Sequence, residues 1–480
     1  LGETALDASV SGANNTAIGK DALTTLTSGA NNTAIGKDSL KAVTTGGTNV
    51  GIGVDALTTL TTGSSNTAVG TGAMEDTTTA SNNTALGQNA LHANTTGTQN
   101  VAVGTLALDA ATTAHSNTAV GYNSLGDNTT GAENVALGMQ ALQDNTTASN
   151  NTAIGTQALR LNTTGDSNTA VGAGALDANT TGVQNNALGY LALTNNTTGS
   201  YHVAVGEQSL ANNTTGSNNT GLGHRTLQAN TTGVRNTAIG ANALDAATTA
   251  EDNTAVGQNS QTRTTTGNGN TSVGRESMDK NTTGASNVAV GMYALYGNTT
   301  ASNNTAVGKS ALETNTTGAN NVAVGRSSLL LNTTGSNNVA VGANALDANT
   351  TASYNFALGV DALGANTTGS VNVAIANSLT SNTTGGSNVA IGSNSLGDNT
   401  TGSQNVAVGR QALGDNTTAD NNTAVGHNAM LLNTTGPANT AVGKECLKSN
   451  TTGGYNSALG DECMASNTGG SSNVAMGDFT

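Results

Sequence analysis

The 480-residue sequence has no tryptophan, one proline (Pro437), two cysteines and only 2% aromatic residues. Without large rings, the jigsaw of bulky side chains that fills an ordinary globular core is out of reach. Charged residues make up 9%, too few for a charge-rich disordered chain. The 14 basic residues are outnumbered by 29 acidic ones, giving a net charge of −15. No basic patch exists to release counterions, so neither nucleic acid nor an anionic membrane is an expected partner. Apolar runs reach nowhere near the roughly 18 residues of a spanning helix, so membrane insertion is not expected. No signal segment is visible, and the opening on Leu1 is that expected of a processed or truncated chain. What is abundant is small or polar, with 63 glycines among it. Composition alone would allow a low-complexity coil. The spacing argues otherwise.

The glycine that closes "AVG" or "AIG" stands at Gly2, Gly19, Gly36 and onward to Gly359, always 17 residues apart. The next anchor is Ala376, and the series then resumes at Gly392 and runs to Gly477. The chain is therefore 28 repeats, one of them a residue short. With the anchor as position zero, the consensus reads G-x-x-A-L-x-x-N-T-T-G-x-x-N-[TV]-A-[VI]. Position four is Leu or Met except at Gln261, and position sixteen is always Val, Ile, Leu or Met. Position three is always small, whereas positions one and two accept Lys, Asp, Arg, Tyr and Gln alike and should face solvent.

"NTAVG" reads as a short strand with positions fourteen and sixteen on one face and the Ala on the other. "xxAL" reads as a second. Seventeen residues hold one coil with two short strands, not a helix, a strand and two turns. The fold class that follows is all-β, a parallel β-solenoid (β-roll) of 28 stacked coils over a single continuous domain, 1–480. At strand spacing the coils would make a rod roughly 134 Å long. Leu at four and Val or Ile at sixteen are the expected inner ladders, stabilised only by neighbouring coils.

Asn-Thr-Thr is formally a glycan acceptor. Its Asn, at position seven, is replaced by Leu26, Val43 and Leu60 in successive coils and by Ala111 and Ala247 later. A position that accepts Leu points inward, so a structural Asn is expected rather than a ladder of glycans. The second Asn, at position thirteen, is present in 27 of the 28 repeats, with His202 the exception. Stacked amides at strand spacing should hydrogen-bond up and down the solenoid. Gly at position ten gives way to Ala in several repeats, Ala80 and Ala114 among them, so close packing rather than backbone angle is its reason. The anchor Gly varies only at Ala376 and is expected to need an unusual φ or very close packing.

"NNTAIG", "SNVAVG" and "QNVAVG" resemble the head repeats of trimeric autotransporter adhesins, and the longer "NTTGSNNTAVGxxAL" unit looks like repeats of phage and algal-virus fibre proteins. The resemblance spans the whole chain. It implies a left-handed parallel β-roll, three chains together, displayed on a surface. A coiled-coil stalk, an anchor barrel and a signal segment, which the adhesins carry, are not seen in this sequence.

No catalytic constellation emerges, so no enzyme activity and no cofactor is expected. The five histidines (His92, His115, His202, His224 and His427) fall on scattered coils and repeat positions, without metal-ligand spacing. Asp21, Asp38 and Asp55 share position two of three successive coils and form the one weak candidate for a hard cation, with Lys20 and Lys37 beside them favouring a solvated ionic face. Cys446 and Cys463 share position three of adjacent coils, placed for either a disulfide or two stacked free thiols. Sugar cleavage would require paired carboxylates and aromatic platforms.

These features favour a structural role: a rigid extracellular, cell-surface or virion fibre or filament, with adhesion as a use it could serve. The near-uniform Asn, Ala and Gly of positions thirteen, fifteen and zero suggest a flat face for a homotrimer. Similar repeat phase at both ends suggests a head-to-tail filament instead. Any cell-surface or glycan receptor is expected to engage parts outside these residues. The alternative is an ice-binding solenoid using Thr columns, although adjacent Thr at eight and nine should point to opposite sides.

Overall fold

The computed structural model describes residues 2–480. The chain divides into two compact units, Leu1–Asn236 and Thr237–Thr480. Each is a parallel β-solenoid with one three-residue strand per coil. The first unit holds thirteen strands, from β1 (Thr16–Ile18) to β13 (Thr220–Leu222). The second holds fifteen, from β14 (Thr237–Ile239) to β28 (Val474–Met476). No helix occurs among the described residues. Within each unit every strand pairs in parallel with the strand one repeat later, Thr16 opposite Thr33 in the first unit and Val322 opposite Val339 in the second.

The coil from Gly325 to Val341 represents the rest. Its strand buries Ala340 completely, while Val339 and Val341 on either side stay partly exposed. This corrects the expected orientation. The larger apolar residues of positions fourteen and sixteen point outward, and Ala turns in. The expected inner ladder of Val and Ile is therefore an outer one; Ile18 and Leu188 remain 49% exposed. The reason is width. The coil is so thin that Leu329, fully buried from the opposite side, leaves space for only a methyl group facing it.

The second stacked segment, positions one to four, hydrogen-bonds between coils as a strand would: Leu329 N–H to Ala345 O at 3.0 Å and Ser327 N–H to Lys309 O at 3.0 Å. Its backbone is not pleated. Ser327 (φ 57°) and Leu329 (φ 50°) are left-handed. These reversals let Ser328 and Leu329, neighbours in sequence, both be fully buried, which a pleated strand forbids. A left-handed Leu costs roughly 1–2 kcal/mol, offset by the core it fills.

Two columns of fully buried Asn tie the coils together. At position thirteen, Asn338 N–H donates to Asn321 Oδ1 at 2.9 Å and Asn338 Nδ2 to Ala352 O at 2.9 Å. At position seven, Asn332 Nδ2 donates to Asn315 Oδ1 at 2.8 Å and to Gly335 O of its own coil at 2.9 Å. Thr333 Oγ1 adds a bond to Thr350 O at 3.0 Å. Each amide thus serves backbone groups that no strand ladder reaches. Asn321→Leu should orphan the Asn338 N–H in a dry column and cost about 2 kcal/mol. Amide exchange of the neighbouring coils should quicken accordingly, whereas Thr317→Ala, at an exposed site, should leave it unchanged.

The short repeat keeps its ladders. β22 (Val373–Ile375) pairs with β23 (Val389–Ile391) in register, Val373 opposite Val389. The missing residue is taken from the turn before Leu379, which remains fully buried. The anchor there, Ala376, has φ 69° in place of the 127–142° typical of the surrounding anchors, such as Gly359 at 134° and Gly392 at 127°. Shortening the turn moves the anchor into the left-handed helical region, where alanine is admitted at modest cost.

Candidate functional surface

The structure places the candidate surface on the outward side of the strands. Position sixteen contributes consecutive exposed side chains at Ile18, Ile35 and Ile52 in the first unit. In the second, Val288 and Val290 stand side by side, as do Phe356 and Leu358. Neither position fourteen nor position sixteen carries a charged residue in any repeat. Extended apolar surface of this kind marks interaction sites, and charge depletion is the compositional sign of an interface centre. Sequence reasoning assigned these columns to the core. The available signal was position fifteen, restricted to Ala, Gly51, Gly221 and Ser272, where constancy of size marks burial.

The Asn, Ala and Gly face expected to meet other copies is not a surface at all. Its Asn and Ala line the core. The anchor Gly backbone lies against the next coil, with a Cβ on Gly325 falling 2.4 Å from Gly342 O.

Asp21, Asp38 and Asp55 stack as expected, but ion pairs occupy the middle one. Lys37 Nζ reaches Asp38 Oδ2 at 2.8 Å and Lys41 Nζ reaches Asp38 Oδ1 at 2.8 Å. Hydrogen bonds from these two ammonium groups hold the Asp38 carboxyl below the usual range. Asp21 accepts a bond from the Thr4 hydroxyl. No group of three or more metal-ligating side chains is assembled among the described residues. Cys446 and Cys463 are stacked, buried free thiols. Burial first, and then Cys463, pushes the Cys446 thiol up to about 12, so it is inert toward thiolate chemistry.

The Asn of the Asn-Thr-Thr sequons is closed to glycosylation where it is fully buried. Asn162 Nδ2, for example, is spent on Asn145 Oδ1 and Gly165 O, both at 3.0 Å.

His202 interrupts the position-thirteen column. Its Nε2 lies 2.7 Å from Gly216 O, and its Nδ1 accepts the Asn219 N–H at 3.2 Å. These partners fix a neutral imidazole with the proton on Nε2. Burial lowers its pKa to about 4, against the smaller opposing pull of the Gly216 and Asn219 backbone bonds. His92 sits 3.8 Å from Glu75 and 3.9 Å from Asp76 on the partly exposed side of the coil.

No protein-family model matches the chain, and no curated protein matches it. The assignment therefore stops at the architecture: a tandem-repeat β-solenoid with Asn ladders.

Proposed function

We propose that this chain is a structural fibre protein, without enzymatic activity, that self-associates through the outward strand face and serves outside the cell or on a virion. The supporting observation is the partly exposed outward face formed by an apolar column at position sixteen and an uncharged column at position fourteen, where Thr and Val are the usual residues. A stable interface takes ~800 Å² per partner, an area that several stacked coils of this face supply together. A homotrimer closes three such faces around one axis. The resemblance to adhesin heads and viral fibres points the same way. Against the ice-binding alternative stands the use of the position-eight hydroxyls, as in Thr333, to bond the next coil. That leaves position nine as the exposed Thr column on its side.

Mass per unit length of purified particles, by scanning transmission electron microscopy, tests the reading. One 46.8 kDa chain at strand spacing gives about 0.35 kDa per Å, and three in parallel about 1.05. We expect the higher figure for the native protein and the lower one for the double variant Val339→Glu, Val373→Glu. Native particles at the lower figure, in lengths far beyond one chain, would mean end-to-end stacking and overturn lateral assembly.

A further inference from the structure

One coil of the second unit departs from the others on the opposite side from the strand. Tyr296 is the only Tyr, Phe or Trp at position five in any repeat, and the adjacent Gly297 is the only glycine at position six. Elsewhere position six carries a side chain; here its absence opens a notch of about 340 Å³ between coils. Lys280, directly below Gly297 in the stack, bounds one side, and Glu313 and Thr314 of the next coil bound the other. The floor is backbone, closed by Gly297 N–H to Glu313 O at 2.7 Å.

The Tyr296 ring is braced. Tyr293 meets it edge-on, with centroids 5.7 Å apart and planes at 88°, and Arg275 lies 5.9 Å from the Tyr293 centroid. Lys280 Nζ stands 4.8 Å from the Tyr296 centroid. The neighbouring hydroxyls are already committed: Thr299 Oγ1 to Thr316 O at 3.0 Å and Thr314 Oγ1 to Leu330 O at 2.8 Å. With those hydroxyls engaged, the charged ends bordering the notch are an ammonium, which can only donate, and a carboxylate, which accepts.

From this geometry we infer that the notch at Gly297 is a binding subsite for a single hexopyranose unit of a glycan. A pyranose has an apolar C–H face that suits an aromatic ring and a rim of hydroxyls that both donate and accept. Tyr296 supplies the platform, Glu313 accepts hydrogen bonds from sugar hydroxyls, and Lys280 donates to ring or hydroxyl oxygens after swinging from above the ring. The volume suits one ring with water, and so small a ligand should bind with a Kd on the order of 1 mM. The site is independent of the strand face and of any assembly through it.

Saturation-transfer difference NMR on the full chain tests this, with glucose, galactose, mannose and N-acetylglucosamine at millimolar concentration, and glycine and glutamate as zwitterionic controls. We expect saturation of the ring C–H protons of at least one sugar, reduced at least fivefold by Gly297→Asn and by Tyr296→Ala. Both variants install residues that the same columns carry elsewhere, Asn195 at six and Ala211 at five. A Cβ on Gly297 would lie 2.9 Å from Glu313 O, so Gly297→Asn needs a small local shift and Tyr296→Ala is the variant that leaves the backbone undisturbed. An unchanged strand-region NMR spectrum in each variant checks that it folds. No saturation of any sugar, equal saturation in the native protein and the folded variants, or preference for the amino acids would overturn the assignment.

Discussion

Gly325→Val should destabilise the second unit by about 4 kcal/mol, the sum of a backbone penalty and a steric one. The native φ of Gly325 is 136°, a region that non-glycine residues enter at a cost of about 1–3 kcal/mol. A Cβ there would lie 2.4 Å from Gly342 O and 2.6 Å from Gly342 C. Those are backbone atoms, so relief requires the two coils to part. Parting strains the bonds on either side, Gly325 N–H to Val307 O and Gly342 N–H to Val324 O, both 2.8 Å. Urea unfolding combined with amide exchange would show protection lost first around residues 307–342. Arg326→Ala, one position on, is the control, since Ala343 occupies that column in the next coil. Equal behaviour of the two variants would remove the case for the anchor as a steric requirement.

The second large effect belongs to pH. In the folded chain the pKa of His202 is lowered to about 4, against about 6.5 when unfolded. Above pH 6.5 the imidazole is neutral in both states and contributes nothing to the pH dependence. As pH falls from 6.5 toward 4, the unfolded chain takes up a proton that the folded chain refuses, so stability drops. Below about 4 both states are protonated and the loss levels off, having reached about 3 kcal/mol. The groups that contact the ring are Gly216, Asn219 and Asn213, none of them titratable. Protonation at Nδ1 would set two N–H groups, those of His202 and Asn219, against each other. His202→Asn restores the column residue and should abolish this component. Melting curves of both proteins between pH 7 and pH 4 measure it. Carboxylates titrate identically in each, so parallel losses would show that His202 is not the cause.

Much of the fold was legible in the sequence because a repeat compares itself. The 17-residue period, the single short coil, the inward Leu of position four and the ladders of Asn at seven and thirteen all follow from what each column tolerates. Two things were not legible. Alternation along Val339–Val341 says that its two faces differ, not which face is inside, and the usual preference for burying the larger residue fails in a coil this thin. The left-handed residues at positions two and four were hidden as well. Asp21, Ser327 and Leu329 give no glycine signal, although Asn at position two of several coils is a weak one. The candidate surface was missed for the first reason. The notch was missed because one Tyr-Gly pair carries no meaning until Lys280 and Glu313 are seen one coil below and one above it.

The short coil at Ala376 shows how the chain divides its labour. Side-chain columns and strand register hold each coil in place, and they continue past the deletion unchanged. The turn between anchor and core Leu acts as an expansion joint, taking up the difference in chain length locally. A coil length is therefore a local property, and this turn is the place where a coil has given up a residue while the ladders of its neighbours stay in register.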